Sequence, residues 1–283
     1  MKRFVLVALV VGLALAVQGA WALTLHPSVV GSWDSNWVSN GNGVPYWDNN
    51  SGEIRLGDYV STNWGTLPTL VSTAINEGAP GSGAWVTDVS FTSGDSDWAT
   101  ILIEVAGLAP NNYFGIYKKD DPNTRYQLFA GAAGPNASAT FNPMTAVGSS
   151  NFGFYLETKA PNGDVYWRWY SQSQYNEILD TLTGDDENQQ HFAFFDAKEV
   201  TNYPSNIPGY KPKSGGGYEW PWGNAYIIGV EDLPISREAF NRGPADKDYN
   251  DFVVFVANVP DASTWMLFLS GMPAVLMLRR KRS

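Results

Sequence analysis

Cysteine is absent from the chain's 283 residues, which excludes disulfides, thiol catalysis and cysteine-held metals together. Histidine is nearly absent: His26 and His191 are the only two, too few for a zinc enzyme of the usual histidine-rich type. Neither supports a Ser/His/Asp arrangement, because His26 lies close to the expected mature terminus and His191 stands in a strand that reads as core. Long helix-period patterns are missing between residues 23 and 256, and no apolar run reaches the ~20 residues that a comfortable membrane span requires. Positive charge is scarce as well. The body from Leu23 to Pro260 holds 12 of the 18 basic residues and 27 of the 28 acidic ones, a net charge of −15. Such a surface repels phosphate backbones and anionic lipid, so nucleic acid is not expected as a partner, whereas divalent cations are.

Aromatic residues are plentiful: 12 Trp, 14 Tyr and 14 Phe supply a core for a body of about 240 residues. Apolar or alternating runs of four to eight residues recur between clusters of Gly, Pro, Asn and Asp, the pattern of an all-β fold. Strands are predicted over 100–105, 113–117, 126–129, 152–157, 165–170, 191–196, 225–230 and 252–257. A hairpin joins the second to the third across the polar turn 118–123, and another crosses Pro161-Asn162-Gly163-Asp164. Residues 175–182 read equally as a helical turn or a strand. The expected architecture is a jelly-roll-like β-sandwich over residues 23–258, in one domain, with room for an N-terminal subdomain up to about Pro80.

Trp33, Trp37, Trp47 and Trp64 lie in a stretch rich in Asn, Gly and Ser, and Trp220 and Trp222 lie beside Tyr218 in a Gly- and Pro-rich loop. Rings stack on the apolar faces of sugars while amides and carboxylates bond the hydroxyls, so these six are candidate glycan-binding aromatics. The alternative is that the rings plug the ends of the sandwich, as aromatic residues ordinarily pack.

The most specific chemistry sits near the end of the body. Ile227-Ile228-Gly229-Val230-Glu231-Asp232-Leu233-Pro234 closes a strand on two acids, and Asp246-Lys247-Asp248-Tyr249-Asn250-Asp251-Phe252-Val253 alternates oxygen-bearing side chains with others. Glu231, Asp232, Asp246, Asp248, Asn250 and Asp251 are candidate ligands, since calcium takes oxygen donors in that number. An EF-hand is excluded, because Asp251 stands where its glycine is expected and no helix flanks the loop. An acidic β-turn capping its own backbone fits the spacing equally well.

At these residues the chain resembles the domain-of-unknown-function family numbered 4114, found in secreted and surface bacterial proteins. Gln190-His191-Phe192-Ala193-Phe194-Phe195 resembles the strand that opens that domain, and the likeness extends over roughly 189–258. The resemblance implies a β-sandwich, a calcium site on the six residues just named, and no established reaction. Here the region carries a long Pro- and Gly-rich insertion, 198–223.

Both ends read as delivery signals. Met1-Lys2-Arg3, the apolar run Phe4 to Val17 and the small residues before Ala22 form a secretory signal peptide, 1–22, with cleavage by signal peptidase expected after Ala22. At the other end (259–283), Val259-Pro260-Asp261-Ala262-Ser263-Thr264 precedes a mostly apolar segment, 265–278, and a basic tail, 279–283. As a helix that segment would span about 21 Å against a bilayer core of about 30 Å, with Trp265 at one edge and arginines at the other as interface anchors. This order resembles the PEP-CTERM sorting signal of Gram-negative bacteria. The resemblance implies transient membrane anchoring and handover by an exosortase, a membrane transpeptidase, to the exopolysaccharide matrix. Asp261 and Ala262 stand where that family usually has Glu and Pro.

Two classes of function follow. The first is a non-catalytic surface or biofilm-matrix protein, stiffened by calcium and in contact with exopolysaccharide. The second is a secreted carbohydrate-binding module or glycan-active enzyme, for which paired carboxylates are required. The acids adjacent in sequence, Asp95 with Asp97 and Asp185, Asp186 with Glu187, stand on turns where solvation is usual.

Overall fold

The computed structural model describes residues 24–26, 70–72, 90–92, 98–105, 109–131, 133–172, 175–176, 191–202, 207, 209–233 and 249–259. Ala22, Trp33, Trp37, Trp47, Trp64, Asp246, Asp248 and the sorting signal beyond Val259 lie outside them. In chain order the strands are β1 (Thr24–His26), β2 (Leu70–Ser72), β3 (Ser90–Thr92), β4 (Trp98–Val105), β5 (Asn112–Lys118), β6 (Asp121–Phe129), β7 (Ser138–Phe141), β8 (Asn151–Lys159), β9 (Val165–Tyr170), β10 (Phe192–Asp196), β11 (Glu199–Val200), β12 (Lys211–Pro212), β13 (Tyr218–Glu219), β14 (Ala225–Val230) and β15 (Phe252–Asn258). A short helix, α1 (Pro143–Val147), is capped by the Asn142 side chain, which accepts from the Thr145 amide. Among the described residues no helix is long and apolar enough to cross a membrane.

All pairings are antiparallel. One sheet runs β1-β3-β8-β5-β6, with β9 also on β8; the other runs β2-β10-β14-β15-β4-β7. Strand β8 accommodates two neighbours on one side because β3 pairs only with its first residues, Asn151 and Phe152, and β9 with Tyr155 to Lys159. The sheets pack face to face as an all-β sandwich. Phe91 meets Phe194 and Tyr226 at ring-centroid distances of 5.6 and 5.7 Å, and Phe114 stacks on Phe252 at 5.4 Å, each contact crossing from one sheet to the other.

Period-two alternation explains the strand sequences. Tyr226, Ile228 and Val230 of β14, with Phe252, Val254 and Val256 of β15, face the inter-sheet core, while Ile227, Val253 and Phe255 face a second apolar cluster behind that sheet. Both faces are covered, so every residue of β14 and β15 is buried and neither strand alternates in polarity. The cover is the 198–223 insertion. It folds as a small sheet, β11-β13-β12, and contributes Val200, Tyr210 and Trp220 to the second cluster.

The hairpin turn is shorter than the sequence suggests. Strand β6 begins at Asp121, which pairs with Lys118, while Tyr117 pairs with Arg125; residues 122–124 bulge from the ladder, held by the Asp121 carboxylate, which accepts from the Asn123 amide (3.3 Å) and the Thr124 hydroxyl (2.6 Å), and the turn contracts to 119–120.

Candidate metal centre

The register of β14 against β15 builds the site. Val230 pairs with Phe252 at the end of the ladder, so the residues next outward, Glu231 and Asp251, leave the sheet side by side. Asp232 follows, and its amide donates to Asp251 Oδ2 at 3.0 Å. One carboxylate oxygen from each of Glu231, Asp232 and Asp251 lies within 4.8 Å of the others. Glu231 and Asp232 are 1 % and 0 % exposed, so this is an interior cluster rather than a solvated acidic turn. Tyr249, with φ of 57° and a fully buried ring, fixes the path of the chain into Asp251.

Asp232 is also where the two sheets are joined. Its carbonyl accepts the indole N–H of Trp167 at 2.5 Å and that of Trp169 at 3.2 Å, both from β9. Its Oδ2 accepts from Asn112 Nδ2 of β5 at 2.6 Å, and Asn112 Oδ1 in turn accepts the Thr158 hydroxyl of β8 at 2.8 Å. Three strands of one sheet thus orient an acid carried by the other. His191 supports the arrangement from behind: its carbonyl accepts the Glu231 amide at 2.9 Å, and its Nδ1 lies 3.1 Å from the Glu231 carbonyl. Burial pushes the imidazole pKa down to about 3, so the ring is neutral and Nδ1 carries the proton that the carbonyl accepts. The ring stacks on Trp169 at a centroid separation of 3.6 Å. Enclosed in this way, His191 is a core residue, as its strand context suggests.

Electrostatics limits what the cluster can be. Two unit charges 4.8 Å apart repel by about 3–4 kcal/mol at an effective dielectric constant of about 20. Three carboxylates cannot all remain ionised there without an offsetting charge, supplied by a metal ion, a basic side chain or a proton. The donor set consists of hard oxygens, which suits calcium or magnesium and not a soft metal. A buried acidic cluster able to hold a metal ion is therefore present.

Of the six ligand candidates, the structure brings together Glu231, Asp232 and Asp251. Asn250 precedes Asp251 in the same loop and is partly buried. Sequence reasoning missed Asn112, Thr158, Trp167 and Trp169, which come from strands remote in sequence.

The aromatic candidates fare differently. Trp220 is 4 % exposed: its ring meets Tyr210, Phe255 and Trp222 edge to face at 5.4, 5.3 and 4.9 Å, and its N–H donates to the Asn258 carbonyl at 2.9 Å. It is a packing residue and presents no face to a sugar, because the insertion folds down onto β15 instead of standing in solvent. Trp222 lies half-buried over the edge of Trp220.

No family model matches the sequence, and no curated protein matches it. Among solved structures, the Chromobacterium violaceum lectin CV2L in complex with α-methyl-fucoside is similar at 14 % identity and a TM-score of 0.27, over 62 % of this chain and the whole of that one. An overlap of that extent carries no argument about ligand or fold.

Proposed function

We propose that this is an exported, non-catalytic, calcium-stabilised protein of the bacterial cell surface or exopolysaccharide matrix, handed to the outside through its PEP-CTERM-like tail by an exosortase. The observation that carries the calcium part is the interior cluster of Glu231, Asp232 and Asp251, with Asp232 carried by one sheet and hydrogen-bonded to strands of the other. Those three residues would hold the ion, and its charge would relieve their mutual repulsion at the junction of the sandwich. The delivery part is supported by the sequence alone, through the tripartite order of 259–283 and the signal-peptide pattern of 1–22.

Titration calorimetry tests the metal. The full chain, stripped with a chelator, should take up calcium with measurable heat, and Asp251→Asn and Asp232→Asn should each weaken uptake at least tenfold. Absence of heat, or equal heat in both variants, removes the calcium reading. Delivery is tested in a host carrying an exosortase. Deleting the transpeptidase should leave the uncleaved chain in the membrane fraction, and unchanged release would overturn that route.

A further inference from the structure

We propose that the crevice at the turn between β12 and β13 is a binding subsite for a neutral sugar residue of a polysaccharide; the inference rests on the matrix reading for the source of the ligand and not on the calcium site. The crevice is a shallow, solvent-open depression of about 460 Å³ lined by Glu199, Thr201, Lys213, Gly215, Gly216 and Tyr218 among others, as a single surface-bound sugar residue requires.

Its chemistry suits hydroxyl groups. Lys213 Nζ and Glu199 Oε2 form an ion pair whose side chains remain 36 % and 54 % exposed. Such a pair offers an ammonium donor and a carboxylate acceptor side by side, and a vicinal diol matches the two with charge-assisted hydrogen bonds. Thr201 adds an exposed residue with a hydroxyl, and Tyr218 a half-buried ring for the apolar face of a pyranose. The floor is backbone. Gly215, Gly216 and Gly217 have φ of 99°, 103° and 76°, a conformation open to glycine and strained for other residues. A Cβ at Gly217 would lie 2.7 Å from the Val200 carbonyl, but at Gly215 and Gly216 it would meet nothing within 4 Å. Those two positions keep the crevice bare, so a ligand can approach the main chain.

The turn is fixed before any ligand arrives. Lys213 N donates to Gly217 O at 3.0 Å and Gly216 N to Lys213 O at 3.2 Å, while the amide of the buried Trp220 donates to Lys198 O at 2.8 Å and ties β13 to the second cluster. A preorganised site loses less freedom on binding. The balance of charge selects the ligand: Glu199 stands beside Lys213 and the body carries −15, so an anionic sugar would meet repulsion that a neutral one avoids.

The test is calorimetry of the calcium-loaded full chain against soluble glucans, mannan and galactan, with alginate and polygalacturonate as acidic arms. At least one neutral glycan should bind, Glu199→Ala and Lys213→Ala should each weaken it fivefold or more, and neither should move the thermal midpoint by more than a degree or two, since exposed ion pairs contribute little to stability. Failure of every neutral glycan, binding unchanged in both variants, or binding confined to the acidic arms and abolished by Lys213→Ala would each overturn the proposal. Calcium heats recorded on the same variants keep the two readings apart, because neither residue belongs to the carboxylate cluster.

Discussion

Trp220→Ala should cost about 4 kcal/mol of folding stability. The figure comes from the ring's surroundings. Truncating a fully packed Trp typically costs about 3–5 kcal/mol in lost transfer energy and residual cavity, and here the cavity opens between Tyr210 and Phe255 under a cover with few alternative contacts. The same change strips the Asn258 carbonyl of its indole donor, a loss of about 1 kcal/mol when a buried group goes without its partner. Urea unfolding followed by far-ultraviolet circular dichroism measures the total, with the slope compared between variants to check that the transition stays two-state. Trp220→Phe retains a ring and removes the N–H, so it should lose about 1–2 kcal/mol and guards against a variant that does not fold. Trp222→Ala, at a half-buried position, should lose no more than about 1 kcal/mol. A loss below about 1 kcal/mol for Trp220→Ala would refute the idea that the insertion completes a second core.

The remaining predictions concern the site and the first sheet. Asn112→Ala removes a hydrogen bond to a buried carboxylate and should destabilise the chain by about 1.5–3 kcal/mol in denaturant titrations, with a weaker calcium-dependent rise in the thermal midpoint. At saturating calcium, near a hundredfold over its dissociation constant, the wild-type chain should gain about 2.7 kcal/mol over the chelated form, and an identical melting curve with and without chelator would contradict this. Burial opposes the charge of Glu157, but Lys159 and Arg168 bond its carboxylate and hold the pKa below the usual glutamate range. The sign follows from that depression: the contribution is complete above the unfolded pKa and disappears as pH falls through the folded one, so Glu157→Gln should flatten the acid limb of stability below about pH 4.5 and change little at pH 7. Gly115→Ala would set its Cβ 2.2 Å from the Tyr126 carbonyl and 2.7 Å from the Tyr155 ring, and should lose about 1–3 kcal/mol through overpacking, measured by thermal melting.

How far the sequence reveals this molecule depends on the range over which each feature is written. Strand β14 stands where an unbroken apolar run places it and β9 where a short aromatic run after a turn does, and the turn at Gly163, with φ of 92°, is local chemistry read directly. Glu231, Asp232 and Asp251 are legible for a related reason: they flank two strands that form one antiparallel pair, so a short motif implies their meeting. Asn112 is invisible in the sequence because it lies 120 residues from the carboxylate it orients, and only the stacking of one sheet on the other brings them together. Trp220 misleads in the opposite direction. Its Gly- and Pro-rich surroundings suggest a solvated loop, whereas that composition serves to fold a short, tightly turned sheet over β15.

The position of the acidic cluster bears on why a cation would matter to this fold at all. A carboxylate triad on a peripheral loop would tune that loop alone. Asp232, however, takes the Trp167 and Trp169 indole hydrogens on its carbonyl and the Asn112 amide on its carboxylate, so any displacement forced on it by repulsion from Glu231 and Asp251 also disturbs three strands of the opposite sheet. At an effective dielectric constant of about 20, one ionised pair at this separation costs about 3–4 kcal/mol, a sizeable part of the ~5–15 kcal/mol that holds a domain folded. Neutralising the cluster therefore acts on the inter-sheet junction as a whole, and the two indoles that terminate there make the effect observable. Calcium addition should change the tryptophan emission of the wild-type chain, and Asp251→Asn, which lowers the charge without touching the indole contacts, should suppress that change while leaving Trp167 and Trp169 bonded.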